Sequence, residues 1–571
     1  MNWDKFFNTA KAPRVQWVLL LLFVGIVFFI NLGADGLFSA QEGRSGVLTR
    51  NILTTGHWLS VDFPGAAENE KPIFSYWLYA ISASCFGLNE FSLRLPGVLA
   101  ALLTVVMTVH LAGKIYGRNC AFLAGYILCT MATFLTLART VRIDIILTAF
   151  YTLEMLLLYY GYFRERKATR WMYAFYAVVG ISMLVKGPVS AVLPAFMILL
   201  YGLVFRQWKM FWDMKPISGV LIVVLLGSPW FIYESVRTQG QFAFDFFFYH
   251  NLERFIGGSD LKDGKHGPPY FYLGKFFAGT LPWSLAIPFA LWGFRKKWRN
   301  LRPETWFLVF WIASVFIFFS LAAIKRGDYI LLFYPAVAIL LARYFERLNS
   351  AKLKLTGKWV YGWGVLVGLV VVATVLFVSG AIYKLGFKAT GNDVPHLCVR
   401  DGQSMMQLSD LVNSHLTGFI LIMAVILTFL YLVGKVLADG KVYRALCWFL
   451  PGMLLLIVLF FQFLQPVLDV FNTNKPFCAK VRELVPADKT IVYYSDYDAE
   501  VVYYTNHRYV IVKEEKIAPA VAANDYLLMF GKIHRRLFRN SPEAADFELI
   551  AASPEGHNSP MLLFKRKTAT Q

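Results

Sequence analysis

Long apolar runs recur along this chain, separated by short polar stretches. A membrane span needs about 20 mostly apolar residues. Runs that meet or approach that length lie near 15–33, 94–113, 119–138, 145–163, 172–186, 188–205, 217–236, 281–294, 306–324, 328–345, 358–383, 418–438 and 445–467. This pattern predicts an all-α polytopic membrane domain over 1–467, with about 13 transmembrane helices. The stretch 73–87, IFSYWLYAISASCFG, is apolar but short and studded with aromatics and Ser, which suits a helix lying in the membrane interface. From about 468 the pattern changes. TIVYYSD, VVYYT, RYVIV and YLLMF are separated by turn-like polar residues, which predicts β-strands in a small soluble α/β domain over 468–571.

Composition agrees with the pattern. Of 571 residues, 57% are hydrophobic and 16% charged, against about 25% charged in soluble globular proteins. The net charge of +20 would fit a nucleic-acid binder, but the basic residues fall in short clusters between apolar runs instead of one stripe or tail. That spacing marks membrane topology and predicts no nucleic-acid partner. The first apolar run exceeds a signal-peptide core and is not followed by a small-residue cleavage site, so it predicts a retained anchor. With residues 1–14 cytoplasmic, every second loop is basic, beginning with Lys114 and Arg118 and then Arg164, Arg166, Lys167 and Arg170. Segments 34–93, 237–280, 384–417 and 468–571 then lie outside. Cys85, Cys120, Cys129 and Cys447 read as small buried hydrophobes. Cys398 and Cys478 both fall outside, where an oxidising compartment would allow a disulfide between them.

Outer loops should be poor in Lys and Arg, yet they contain Arg44, Lys71, Arg139, Arg142, Lys186, Arg254, Lys325 and Arg326. Any one of them is explained by snorkelling to lipid headgroups. Cations converging from separate loops instead suit an anionic ligand, and phosphate matches Arg forks and Lys point charges. Lys186 interrupts the apolar hairpin SMLVKGPVSAVL, where Gly187 and Pro188 supply the helix stop and the next start but give no reason for a lysine. Acidic and imidazole groups are interleaved: Glu42 after Gln41, Glu70 in NEKPIF, Asp144 in ARTVRID and His266 in DGKHGPPYFYL. Each also has an ordinary reading. Ser39-x-x-Glu42 fits a capping box, and Asp144 suits the positive end of the next span. A lone loop His is usually solvated, and one His with one carboxylate is weak support for a metal.

Taken in order, these elements resemble the GT-C membrane glycosyltransferases over about residues 15–345, most closely the bacterial 4-amino-4-deoxy-L-arabinose lipid A transferases and the protein mannosyltransferase-like enzymes. In that group the first outer loop opens with an Asp-Glu pair followed by Arg, and here those positions read Gln41, Glu42 and Arg44. The family's EKP element is Glu70, Lys71 and Pro72, its next loop Asp is Asp144, and its KG hairpin is Lys186-Gly187. ERF, a His-containing loop, aromatics and LPW follow as Glu253-Arg254-Phe255, His266, Tyr270 to Tyr272 and Leu281-Pro282-Trp283, before AIKRGDYILLFYPAVAILLA.

The resemblance implies a monomeric multi-pass enzyme of the bacterial plasma (inner) membrane, N-terminus cytoplasmic, C-terminal domain extracytoplasmic. It would transfer a sugar from a polyprenyl-phosphate donor to a lipid A-like glycolipid or surface polymer, among membrane lipids and with no nucleotide cofactor. It further implies phosphate binding by Lys186, Lys325, Arg326 and Lys71, joined by Arg44 and Arg254, and a divalent metal near Glu70 and His266. The clearest departure is Gln41, which stands where the family has its principal carboxylate and cannot accept a proton. Either Glu42 serves as base with Asp144 assisting, or the acceptor arrives ionised, as a phosphate does, and needs orientation more than deprotonation. The readings left open are a transporter or flippase for an anionic polyprenyl lipid and a non-catalytic binder of one.

Overall fold

In lipid a backbone must satisfy its own polar groups, so apolar runs of this length become helices. The computed structural model describes residues 12–37, 39–60, 71–165, 168–257, 267–268, 270–295, 301–350, 442–494, 498–512, 524–539, 542–553 and 560–567. The chain divides into two compact units, residues 1–34 with 44–346, and residues 35–43 with 347–571.

The helices of the first unit follow in order: α1 Pro13–Phe29, α2 Ala40–Thr55, whose first turn to Gly43 belongs to the second unit, α3 Phe74–Phe86, α4 Glu90–Tyr116 and α5 Arg118–Cys129. Next come α6 Ala132–Ala138, α7 Ile143–Leu158, α8 Thr169–Lys186, α9 Val189–Phe205 and α10 Pro216–Arg237. The series ends with α11 Phe271–Gly279, α12 Ile287–Arg295, α13 Pro303–Leu321 and α14 Tyr334–Ser350, which passes into the second unit at Arg347. Among the described residues, 5 helical segments are long and apolar enough to cross a membrane, or up to 7 if each bent pair is one span, beside shorter apolar helices such as Pro13–Phe29 and Val189–Phe205. The described residues are therefore mostly helical, with several apolar helices of the length a membrane span needs. The expected spans 358–383 and 418–438, and the outer loop 384–417, lie outside the described residues.

Two expected spans belong to bent helix pairs. The run 119–138 is α5 and α6, at 68° to one another, and 281–294 is the second arm of a pair that turns by 109° after α11. The two breaks are tied together: Trp283 Nε1 donates to Thr130 Oγ1 at 2.9 Å, and Ala132 N donates to Leu281 O at 3.1 Å. Polar side chains inside the helices turn back on their own backbone. Thr104 and Thr108 on α4, and Thr148 and Thr152 on α7, each donate to the carbonyl four residues earlier at 2.7–2.8 Å, which removes the cost of an unpaired hydroxyl. Around them the core is aromatic, with Tyr151 edge-on to Trp311 and the Trp311 indole N–H donating to Leu332 O at 3.0 Å.

The second unit contains helices α15 Val442–Leu459, α16 Gln465–Asn472 and α17 Lys475–Leu484, then β1 Thr490–Tyr494, α18 Ala499–Thr505, β2 Arg508–Val512, β3 Tyr526–Phe530, β4 Phe547–Ala552 and β5 Met561–Arg566. The sheet order is β2-β1-β3-β5-β4. β1 lies parallel to β2, from Thr490 opposite Arg508, and parallel to β3; β5 is antiparallel to β3 and β4. Val492, Leu527, Met529, Phe538 and Phe564 form the core. The expected α/β domain is present, with one correction: VVYYT, read as a strand, is helix α18. Asp498 caps it by accepting from Glu500 N at 3.0 Å, and all seven of its residues are buried. Full burial removes the alternation that distinguishes strand from helix. Cys478 is a buried free thiol, and Cys398 lies outside the described residues.

Gly187 ends α8 with φ +84°, and a Cβ there would meet Phe246 Cζ at 2.5 Å. Gly187→Ala should therefore destabilise by roughly 1–2 kcal/mol from the backbone alone, more if Phe246 must move. A lowered apparent melting temperature in detergent is expected, and an unchanged one contradicts this account of the hairpin.

Candidate functional site

The polar end of the first unit is built where α7 begins and α8 ends. Asp144 stands in the first turn of α7, and Lys186 is the last residue of α8, fixed by the Gly187 stop. Lys186 Nζ donates to Asp144 Oδ1 at 2.5 Å, and the same ammonium lies 4.2 Å from the centre of the Tyr329 ring. A lysine ending an apolar helix is thus paired with an anion and faces an aromatic surface, which lowers the cost of its burial.

A second carboxylate extends the array. Asp328, in the helical turn Gly327–Phe333, receives Arg142 at 3.4 Å and Arg326 at 3.7 Å on the same Oδ2. The charges of Arg142 and Arg326 also reach Asp144. Three cations therefore alternate with two carboxylates in one small region. The backbone N–H of Arg326 donates to the Tyr272 hydroxyl at 3.3 Å, and Tyr329 stacks on Phe319 at 4.8 Å, so aromatic groups fix the turn that bears Arg326, Asp328 and Tyr329. Arg254 joins the neighbourhood by its backbone: Ile324 N donates to Arg254 O at 3.3 Å, and Ala323 N to Phe255 O at 2.9 Å.

Other cations do different work. Lys325 is buried and donates to Ser320 O at 2.8 Å and Ala322 O at 2.6 Å, which satisfies carbonyls at the end of α13. Burial pushes its ammonium below the usual lysine range, and the ammonium lies 5.9 Å from the centre of the Tyr272 ring. Arg139 donates to Val27 O at 3.1 Å, Phe28 O at 2.9 Å and Ile30 O. Arg94 donates to Leu32 O at 2.9 Å. Both arginines thus close the C-terminal end of α1, where helix carbonyls have no intrahelical partner.

Gln41 and Glu42 belong to the second unit, while Arg44 belongs to the first. Ser39 caps α2, its Oγ accepting from Glu42 N at 3.2 Å, which is one half of the capping box. Glu42 itself is fully buried, as is its neighbour Gly43. Lys71 is partly buried ahead of α3. Glu70 and His266, the residues implied for a divalent metal, lie outside the described residues, and among those described no three His, Cys, Asp or Glu side chains stand together as a metal site.

Sequence reading missed Asp328 and Tyr329, although both stand in the quoted segment AIKRGDYIL. It also missed three buried acids. Glu154 accepts from Ser182 Oγ at 2.7 Å, Glu234 is gripped by Arg237 within the same helix, and Glu500 lies in the C-terminal domain. An acid inside an apolar run, such as Glu154, is the signal that could have found the first.

The family model for dolichyl-phosphate-mannose-protein mannosyltransferase matches residues 70–233, which contain Asp144 and Lys186. An uncharacterized protein of Aquifex aeolicus is 31% identical over 354 residues, 62% of this chain and 68% of that protein. An undecaprenyl phosphate-alpha-4-amino-4-deoxy-L-arabinose arabinosyl transferase of Aeromonas salmonicida is 29% identical over 64% of this chain and 67% of its own length. The matched region thus spans about two thirds of either relative. In fold, the chain is similar to the crystal structure of ArnT from Cupriavidus metallidurans bound to undecaprenyl phosphate, with a TM-score of 0.75 at 20% identity over 97% of this chain and 98% of that one.

Removing the Arg139 side chain leaves the carbonyls at the end of α1 without these donors, at a cost of about 1–3 kcal/mol. Arg139→Ala should lower the melting temperature and the amount of protein in the membrane while leaving donor KM unchanged in the protein that folds. A raised donor KM would instead place Arg139 among the phosphate-binding cations.

Proposed function

Because the chain belongs to the GT-C membrane glycosyltransferases, in the group of the protein mannosyltransferase-like and aminoarabinose lipid A transferase enzymes, we propose that it moves a sugar from a polyprenyl-phosphate donor to a lipid A-like glycolipid or a surface polymer. The reaction takes place on the outer face of a bacterial inner membrane, with the N-terminus cytoplasmic and the C-terminal domain extracytoplasmic. The observation that carries this reading is the Lys186–Asp144 pair against Tyr329, with Arg142, Asp328 and Arg326 beside it.

The charge count suits the chemistry. The acceptor oxygen bonds to the anomeric carbon as the bond from that carbon to the phosphate oxygen breaks, and the electron pair leaves with polyprenyl phosphate. Negative charge therefore grows on the phosphate during transfer, and fixed cations that are already oriented stabilise it without reorganising. Among the described residues, the cations Lys186, Arg142 and Arg326 alternate with the carboxylates Asp144 and Asp328 in this array. Lys186 and Arg326 are assigned to the donor phosphate, with Lys325, Lys71, Arg44 and Arg254 around them. Glu42 is assigned as base or acceptor-positioning group and Asp144 as its helper, because Gln41 cannot take a proton. An acceptor phosphate, already ionised near neutral pH, would need no base. The divalent metal proposed at Glu70 and His266 rests on the family resemblance, and no step is assigned to it.

Purified protein given a polyprenyl-phosphate sugar and a glycolipid acceptor should release polyprenyl phosphate. In that assay Lys186→Ala should raise donor KM about tenfold or more, the equivalent of one charge-assisted hydrogen bond at about 1.5–3 kcal/mol; an unchanged KM returns the lysine to a snorkelling role. Glu42→Gln and Asp144→Asn should each lower kcat by about 10²-fold or more, the usual worth of a placed acid or base, with donor binding kept. Wild-type rates in both would remove these two carboxylates from the reaction.

A further inference from the structure

The segment that begins α2 is held by the C-terminal domain. Gly36 N donates to Asp469 Oδ2 at 3.0 Å, and Leu37 N donates to the Tyr504 hydroxyl at 2.7 Å. Further on, the helix backbones meet directly: a Cβ on Gly43 would lie 2.3 Å from Glu500 N and 2.6 Å from Ala499 C. Only a residue without a side chain allows the first turn of α2 to rest on the first turn of α18.

Glu500 sits at this contact, 3% exposed. Its Oε1 accepts from Thr473 Oγ1 at 2.6 Å and from Asn474 N at 2.6 Å, so one carboxyl joins the start of α17, the start of α18 and the residue beneath Gly43. The proposed transfer does not use Glu500, and nothing in its sequence context, YDAEVVYYT, marks it.

We propose that Glu500 is a positioning residue for the reaction: with Thr473, Asn474 and Gly43 it holds the Gln41–Glu42 turn in its fixed conformation. This rests on the assignment of Glu42 given above.

The titratable groups around Glu500 favour its uncharged form. Asp498 ahead of α18, Glu42 from α2 and the Cys478 thiol from α17 act on it, and the cations Lys475 and Arg482 stand on the same α17. Burial first, then the Asp498 and Glu42 charges, push its carboxyl up to about 9. A carboxyl raised in this way from its ordinary range stabilises the folded segment at low pH, and the contribution falls away as pH rises towards about 9. Above that, an ionised Glu500 would repel Glu42 and Asp498, and the turn would loosen.

The test uses full-length protein in detergent or nanodiscs. Glu500→Ala should lower kcat at least tenfold with donor KM unchanged, and the amides of residues 40–45 should exchange with deuterium at least tenfold faster. Glu500→Gln keeps an oxygen for Thr473 and Asn474, so it should retain turnover and protection at neutral pH and should lack the fall in kcat expected of the wild type near pH 9. Gly43→Ala should reproduce the kcat loss even if Glu500→Ala fails to accumulate. Wild-type kcat and exchange in Glu500→Ala or Gly43→Ala, or the same alkaline fall in Glu500→Gln, would overturn the proposal. If the wild type transfers no sugar, the reading of the reaction fails by itself, and the exchange measurement still decides whether Glu500 holds the turn.

Discussion

Everything polar at the end of the first unit follows from one constraint: a lysine that ends an apolar helix must meet an anion. Asp144 supplies it from 42 residues earlier in the chain, at 2.5 Å, and thereby fixes the end of α8 against the start of α7. The pair alone would be an expensive structural ornament, because burying two charges can cost more than their attraction returns. Extended by Arg142, Asp328 and Arg326 it becomes an array of alternating sign.

Residues of the same type divide between two tasks. Lys186 and Arg326 pair with carboxylates, whereas Arg94, Arg139 and Lys325 give hydrogen bonds to main-chain carbonyls where helices stop. In water those carbonyls would be solvated; near lipid they need a donor from the protein. A cation at the edge of a span can thus be structural without snorkelling and without touching a ligand. The second unit shows the complementary case, a carboxyl that burial raises above its usual range, beside the first turn of α2.

Much of this was legible in the sequence. The helices α4, α7, α9, α10 and α13 lie where apolar runs of span length predicted them, and the Lys186-Gly187-Pro188 hairpin is formed as its residue types require. The bend after Cys129 was not legible, because no Pro or Gly marks it; its cause is Trp283 and Leu281, far along the chain, which bind Thr130 and Ala132. VVYYT misled because a helix buried on every side has no polar face to reveal its period. For the site, Lys186 and Asp144 stood out as charges beside apolar runs. Asp328 was hidden among neighbouring charges, and nothing around Glu500 in the sequence singled it out. Charge pairing and protonation depend on which elements meet, which one strand of sequence does not display.

The central claim is that this chain consumes a polyprenyl-linked sugar outside the membrane and adds it to an envelope molecule. Mass spectrometry of the lipids and surface glycans of cells with and without the protein tests it most directly. The account predicts that its loss removes one sugar mass from a glycolipid or surface polymer while the polyprenyl-phosphate sugar accumulates. Unchanged envelope glycans and an unchanged donor pool would contradict it.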